Sequence, residues 1–149
     1  MNSIERMVER WCEEDVPLNP GASAMQLESL ERLMGMELPQ DVLSFYSAVN
    51  GMHDYQHDAR MVSIWSIERA VRERNIQEGE DEWGPFQDIA FADALFSAWH
   101  LRFRVRSESR MSVIAELTHE EVPSLYALFD ACLQRPGSLG LVAAIKPQS

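Results

Sequence analysis

The sequence predicts an α+β fold: a mainly antiparallel sheet flanked by N-terminal and C-terminal helices. Three observations carry this prediction. Apolar residues recur at helical spacing through the first third of the chain, the period drops to two between Leu95 and Arg106, and helical spacing returns from Leu125 to Cys132. Strands grouped between helices, without regular strand–helix alternation, argue against a doubly wound parallel sheet.

Each element has its own local signal. Ile4, Met7, Val8 and Trp11 repeat at i, i+3, i+4, i+7 and form a first helix, ended by Pro17 and the Asn19-Pro20-Gly21 turn. Leu27, Leu30 and Met34 mark a second helix that stops at Gly35. In the third, residues 38–51, Pro39 suits the first helical position and Asp41 sits near the positive end of the helix dipole. Val42, Phe45, Tyr46 and Val49 form its apolar face, and Asn50-Gly51 ends it. Met61-Val62-Ser63-Ile64-Trp65 is rich in strand formers, and Ser66 can cap a charged helix through about Gln77. Glycine, proline and charge make residues 78–85 a loop.

From there the alternation places Leu95, Ser97, Trp99, Leu101, Phe103 and Val105 on one face of a half-buried strand, or of two in succession. Phe96, Ala98, His100, Arg102, Arg104 and Arg106 take the other face. Residues 112–117 supply another strand. The last helix starts either at the capping box Thr118-His119-Glu120-Glu121 or at Pro123, and both fit. Leu125, Leu128, Phe129 and Cys132 are its apolar face, Pro136-Gly137 ends it, and an irregular tail follows from about residue 136. Trp11, Leu30, Phe45, Trp99, Phe103 and Phe129 are the expected shared core.

With 149 residues, 46% of them apolar, the chain is one domain's worth (1–149), able to bury about 70% of its unfolded surface. It needs no disulfide. Cys12 and Cys132 both fall on the apolar side of predicted helices and read as small buried hydrophobes. The N-terminus alternates charged and apolar residues and no 18-residue apolar run follows, so the expected location is cytoplasmic, with no membrane partner. Net charge is −11, and its acids are concentrated early: eleven against three bases in residues 1–58, eight against four in 59–93, five against six in 94–149. Such a field repels nucleic acid and attracts basic partners, although charge alone is accounted for by solubility.

Catalytic motifs are missing: the chain has no Gly-x-Ser-x-Gly elbow, phosphate-cradling glycine loop or His-Glu-x-x-His helix. No cofactor is expected. His53 and His57 stand beside Asp54 and Asp58, but they follow a helix stop and lack a third ligand, so an exposed polar loop is the expectation and a metal-dependent enzyme the remote alternative. Arg102, Arg104 and Arg106 share a strand face without interleaved exposed aromatics, which reads as a solvated face paired with acids. The candidate partner-binding residues are Glu78, Glu80, Asp81, Glu82 and Trp83. The acids would steer encounter with a basic protein while Trp83, with Phe86 near it, anchors the contact. Equally, Trp83 could fold back over the sheet and leave the acids solvated.

The Leu38-Pro39, amphipathic helix, Asn50-Gly51 unit resembles the signature of the SUKH superfamily, the domain shared by bacterial toxin-immunity proteins and yeast cell-wall regulators. Ile89-Ala90-Phe91-Ala92-Asp93 with Ser97-Ala98-Trp99-His100-Leu101 is similar to the family's paired strand segments, and Val122-Pro123-Ser124-Leu125 to Leu133 to its closing helix. In order, these anchors span roughly residues 27–139. The resemblance implies an immunity protein that binds and neutralises a cognate toxin by stoichiometric contact; the chain's acidic charge adds the expectation of a toxin with a basic surface, which a nuclease would fit. The alternative it implies is a general interaction or scaffold domain.

Overall fold

The computed structural model describes residues 1–107 and 110–135; the irregular tail expected from about residue 136 lies outside them. Helix α1 (Ser3–Glu13) is capped by Asn2, whose side chain accepts from the Glu5 amide, and it buries Ile4, Met7 and Trp11. Helix α2 (Ala24–Met34) opens on a capping box between Ser23 and Gln26 and stops at Gly35, φ 69°. In α3 (Gln40–Ala48), Pro39 takes the capping position rather than the first helical one, because its ψ of 156° is extended.

The Asn-Gly pair does more than end α3. Gly51 has φ 69°, and a Cβ there would lie 2.4 Å from the Trp65 carbonyl oxygen, so only glycine lets these two backbones meet. The Asn50 carboxamide is buried and accepts from the amide of Ile67 at 2.8 Å, while its nitrogen reaches Glu68. Asn50 thereby fixes the start of α4 (Ile67–Glu73) against the end of α3.

Strands β1 (Val62–Ile64), β2 (Ile76–Asp81), β3 (Gly84–Ala94), β4 (Trp99–Arg106), β5 (Arg110–Ala115) and β6 (Glu120–Val122) form one antiparallel sheet, ordered β1-β3-β4-β5-β6, with β2 also on β3. Along the same side of β3, β2 pairs with its first part and β1 with its last. Helix α5 (Leu125–Gln134) is the last element among the described residues. Among the described residues, no helix is long and apolar enough to cross a membrane.

Several local expectations need correction. Helix α4 stops at Glu73, not near Gln77, because Arg74 turns left-handed at φ 42°. The expected loop at 78–85 is most of a hairpin, β2 and β3 paired from Ile76↔Ile89 to Asp81↔Gly84; cross-strand pairing outweighs the poor strand propensity of an acidic edge. Residues 95–98 form a turn, with Leu95, Phe96 and Ser97 at φ 52°, 56° and 69°, so the expected faces hold only from Trp99 onward. The last helix starts at neither Thr118 nor Pro123, since Ser124 caps it and residues 120–122 belong to β6.

The expected core is present. Trp11, Leu30, Phe45, Phe103 and Phe129 are at most 1% exposed and Trp99 5%. The Trp11, Phe45 and Phe129 rings join α1, α3 and α5 with centroids 5.4–6.0 Å apart, and Phe91 stacks on Phe103 at 4.0 Å. Cys132 is buried, but Cys12 is exposed, one residue off the Ile4-Met7-Trp11 stripe and so turned about 100° away from it.

Candidate partner-binding site

The acidic stretch lies at the tip of the β2–β3 hairpin. Glu82 and Trp83 form its turn, and Gly84, at φ 105°, returns the chain to the sheet. Asp81 holds that turn closed: its carboxylate accepts the Trp83 amide at 2.9 Å and a two-pronged contact from the Arg106 guanidinium at 2.8 and 2.7 Å. The hydrogen bond from Arg106 is the main reason its carboxyl is held down to about 2. Asp81 is therefore occupied in positioning Trp83.

The five candidate residues are not one cluster. Glu78 and Glu80 alternate with Gly79 and Asp81 along β2, so Asp81 lies on the opposite face of the strand. Glu78 receives a bond from Gln87 at 3.3 Å and shares a surface groove with Met34 and Gly35 at the end of α2. Glu28 and Glu31 of α2 and Glu37 just beyond it line another hollow, together with Arg32. Acidity thus runs from α2 onto one side of the hairpin.

Trp83 does not fold back over the sheet. It is 74% exposed, and the ring that covers the strand is Phe86, packed so closely on Gly79 that a Cβ there would lie 2.5 Å from it. Arg104 lies 3.8 Å above the same ring. Trp83 instead borders a groove of about 560 Å³, whose apolar wall includes Met111, Val122 and Pro123 and whose charged side chains include Arg106 and Glu121. An exposed indole on a pinned turn beside an apolar hollow offers a partner a large contact area at low conformational cost. The Asp81-x-x-Gly84 spacing could have signalled this turn, and of the two strands on the groove's far side β5 overlaps the strand expected at residues 112–117, whereas β6 was hidden in a stretch that also reads as a capping box.

The three arginines are paired with acids. Arg102 reaches Glu116 at 2.8 Å, Arg104 grips Asp88 with two bonds of 2.8 Å, and Arg106 holds Asp81. His53 and His57 lie in an exposed loop, the His57 ring edge-on to Phe96, and among the described residues no three His, Cys, Asp or Glu side chains gather to hold a metal. The loop is not exposed throughout. Its last residue, Asp58, is buried and accepts the Trp11 indole N–H at 2.9 Å, a role the sequence did not signal.

No curated protein matches the chain. A family model does, that of the SMI1 / KNR4 family (SUKH-1), over residues 21–134. This match covers α2 through α5, including the Asn50 lock, the hairpin and the whole sheet, and the chain belongs to the SMI1 / KNR4 (SUKH-1) family.

Proposed function

We propose that this chain is an immunity protein that binds a cognate toxin one-to-one and blocks it without chemistry of its own. Family membership supports an immunity-like or interaction domain. The net charge of −11 favours a partner with a basic surface, and a nuclease, whose substrate groove is basic, fits that description. The observation that carries the reading is Trp83, 74% exposed on a turn fixed by Asp81 and Arg106. In this reading Trp83 is the anchor and Glu78, Glu80 and Glu82 steer the approach, while Asp81 keeps the turn in shape.

Pull-down from the native strain, with mass spectrometry and then a co-expression killing assay, identifies the partner. A single basic toxin domain is expected; several unrelated partners would point to the scaffold role instead. With that toxin, stopped-flow binding separates the residue roles. Glu78→Gln/Glu80→Gln/Glu82→Gln should slow association and flatten its salt dependence, because steering acts before contact. Trp83→Ala should speed dissociation by about 2 kcal/mol or more while leaving the urea midpoint of the free protein unchanged. Unchanged binding in both variants would remove the hairpin from the interface.

A further inference from the structure

Strand β2 pairs with β3 and, among the described residues, with no other strand, so its second edge is open. The ladder fixes which backbone groups lie on that edge. The Asn75 carbonyl accepts the Ala90 N–H at 2.9 Å, so Asn75, Gln77, Gly79 and Asp81 bond inward to β3, and Glu78 and Glu80 between them turn their N–H and C=O groups outward. Among the described residues, no backbone group from outside the ladder meets them. An extended row of this kind is a template for one more strand.

The side chains decide which strand fits. Glu78 and Glu80 share one face of β2, both are exposed, and neither has a cation among the described residues. The arginines of β4 lie on the other face, where Arg104 covers the Phe86 ring, and they are held by Asp81, Asp88, Glu116 and Glu121. A second copy of this chain is a poor occupant, because β2 against β2 sets glutamates beside glutamates and facing like charges repel. A basic strand gains from the same contacts. Between the two glutamates Gly79 brings no side chain, and the Phe86 ring lies across it toward the open edge.

We propose that β2 receives an extended segment of a basic protein partner as a further antiparallel strand, with Lys or Arg at alternate positions beside Glu78 and Glu80 and an apolar residue between them at the Phe86 ring. Facing side chains in such a ladder lie about 4.5–5.5 Å apart at Cβ, close enough for ion pairs. Backbone bonds then supply affinity, and the alternation supplies selectivity. The proposal takes its basic partner from the toxin-binding reading and adds the mode of contact.

The test is amide hydrogen exchange of the ¹⁵N-labelled full chain with the synthetic peptide acetyl-Lys-Thr-Lys-Val-Lys-Thr-Lys-amide. With nine-tenths of the chain bound, exchange at Glu78 and Glu80 should slow about tenfold while Gly79 and Asp81, already bonded to β3, stay nearly unchanged. A peptide of the same composition with contiguous lysines should bind about tenfold more weakly, and N-methylation at the lysines should abolish the slowing, because it removes the donors that face Glu78 and Glu80. Glu78→Pro should weaken the alternating peptide more than Glu78→Gln does, since an edge strand tolerates proline where its N–H faces solvent and only the outward donor is lost in addition to the charge. Equal binding by the contiguous peptide, or slowing that survives N-methylation, would overturn the proposal. With the toxin in hand, affinity lost in Trp83→Ala but kept in Glu78→Pro would overturn strand addition and spare the immunity reading. Peptide pairing in a chain whose pull-down yields no toxin would sustain strand addition and sink that reading.

Discussion

Replacing Asp58 tests whether the tertiary hydrogen bonds hold this fold as described. Its two oxygens accept from the Trp11 indole at 2.9 Å and from the amides of Arg60 and Val62 at 2.8 and 3.2 Å, and Arg60 Nη1 lies 3.6 Å away. Asp58 and Arg60 are each 4% exposed, and Arg60 Nε donates to the Cys132 carbonyl at 2.9 Å, so one network joins α1, the 52–58 loop and α5. Asp58→Ala leaves a buried guanidinium without its counter-charge and an indole N–H without an acceptor. Breaking a buried pair from one side costs about 3–5 kcal/mol, and the orphaned indole keeps the value near the upper end. For a chain of 149 residues this corresponds to a Tm drop of about 10 °C or more.

Asp58→Asn should recover only part of the loss. The amide replaces one oxygen, but its NH₂ then faces a donor, and the charge is gone; about 2–3 kcal/mol is expected. Asp58→Ala/Arg60→Met should be no worse than Asp58→Ala alone, because the uncompensated cation has been removed. Equilibrium urea denaturation of the three variants measures all of this. A loss below about 1 kcal/mol for Asp58→Ala would refute the network as a determinant of stability.

Phe45→Ala opens the centre of the Trp11–Phe45–Phe129 group and should cost about 3–5 kcal/mol in the same melts; an unchanged midpoint would remove Phe45 from the core. Native protein treated with iodoacetamide should be alkylated at exposed Cys12 alone, since burial pushes the Cys132 thiol up to about 12, and mass spectrometry of the digest reads the site. Asp81 should titrate near 2 by NMR, with Arg106→Gln returning it toward the ordinary carboxylate range. Because its folded value lies below its unfolded one, its contribution to stability is present above the ordinary range and is lost as pH falls toward 2.

The candidate site was legible in part. The residue types that make Trp83 a good anchor are adjacent in the chain, and so is the acidity around them. What the sequence concealed was their arrangement: alternation along β2 separates Asp81 from Glu78 and Glu80, and Arg106, twenty-five residues away, claims the Asp81 carboxylate. The hairpin itself was hidden because Gln77, Glu78, Gly79 and Glu80 are poor strand formers, and only pairing with β3 makes them a strand. Left-handed turns at Leu95, Phe96 and Ser97 were hidden for the opposite reason, since apolar residues there continue a strand-like alternation across a turn.

The class of fold, most of the apolar faces of the helices and the residues of the core can be read from the order of the amino acids alone. These depend on period and capping, interactions that reach no more than four residues along the chain. The same order carries the family resemblance, in the Leu-Pro and Asn-Gly units around α3. What those units hold, and how the helices are joined to one another, emerges from contacts between segments far apart in the chain. Asn50 meets Ile67, Trp11 meets Asp58, Asp41 accepts the Leu125 amide at 2.7 Å, and Arg60 reaches Cys132. A buried polar group must find a partner wherever the fold brings one, and that partner's distance along the chain places no limit on the choice.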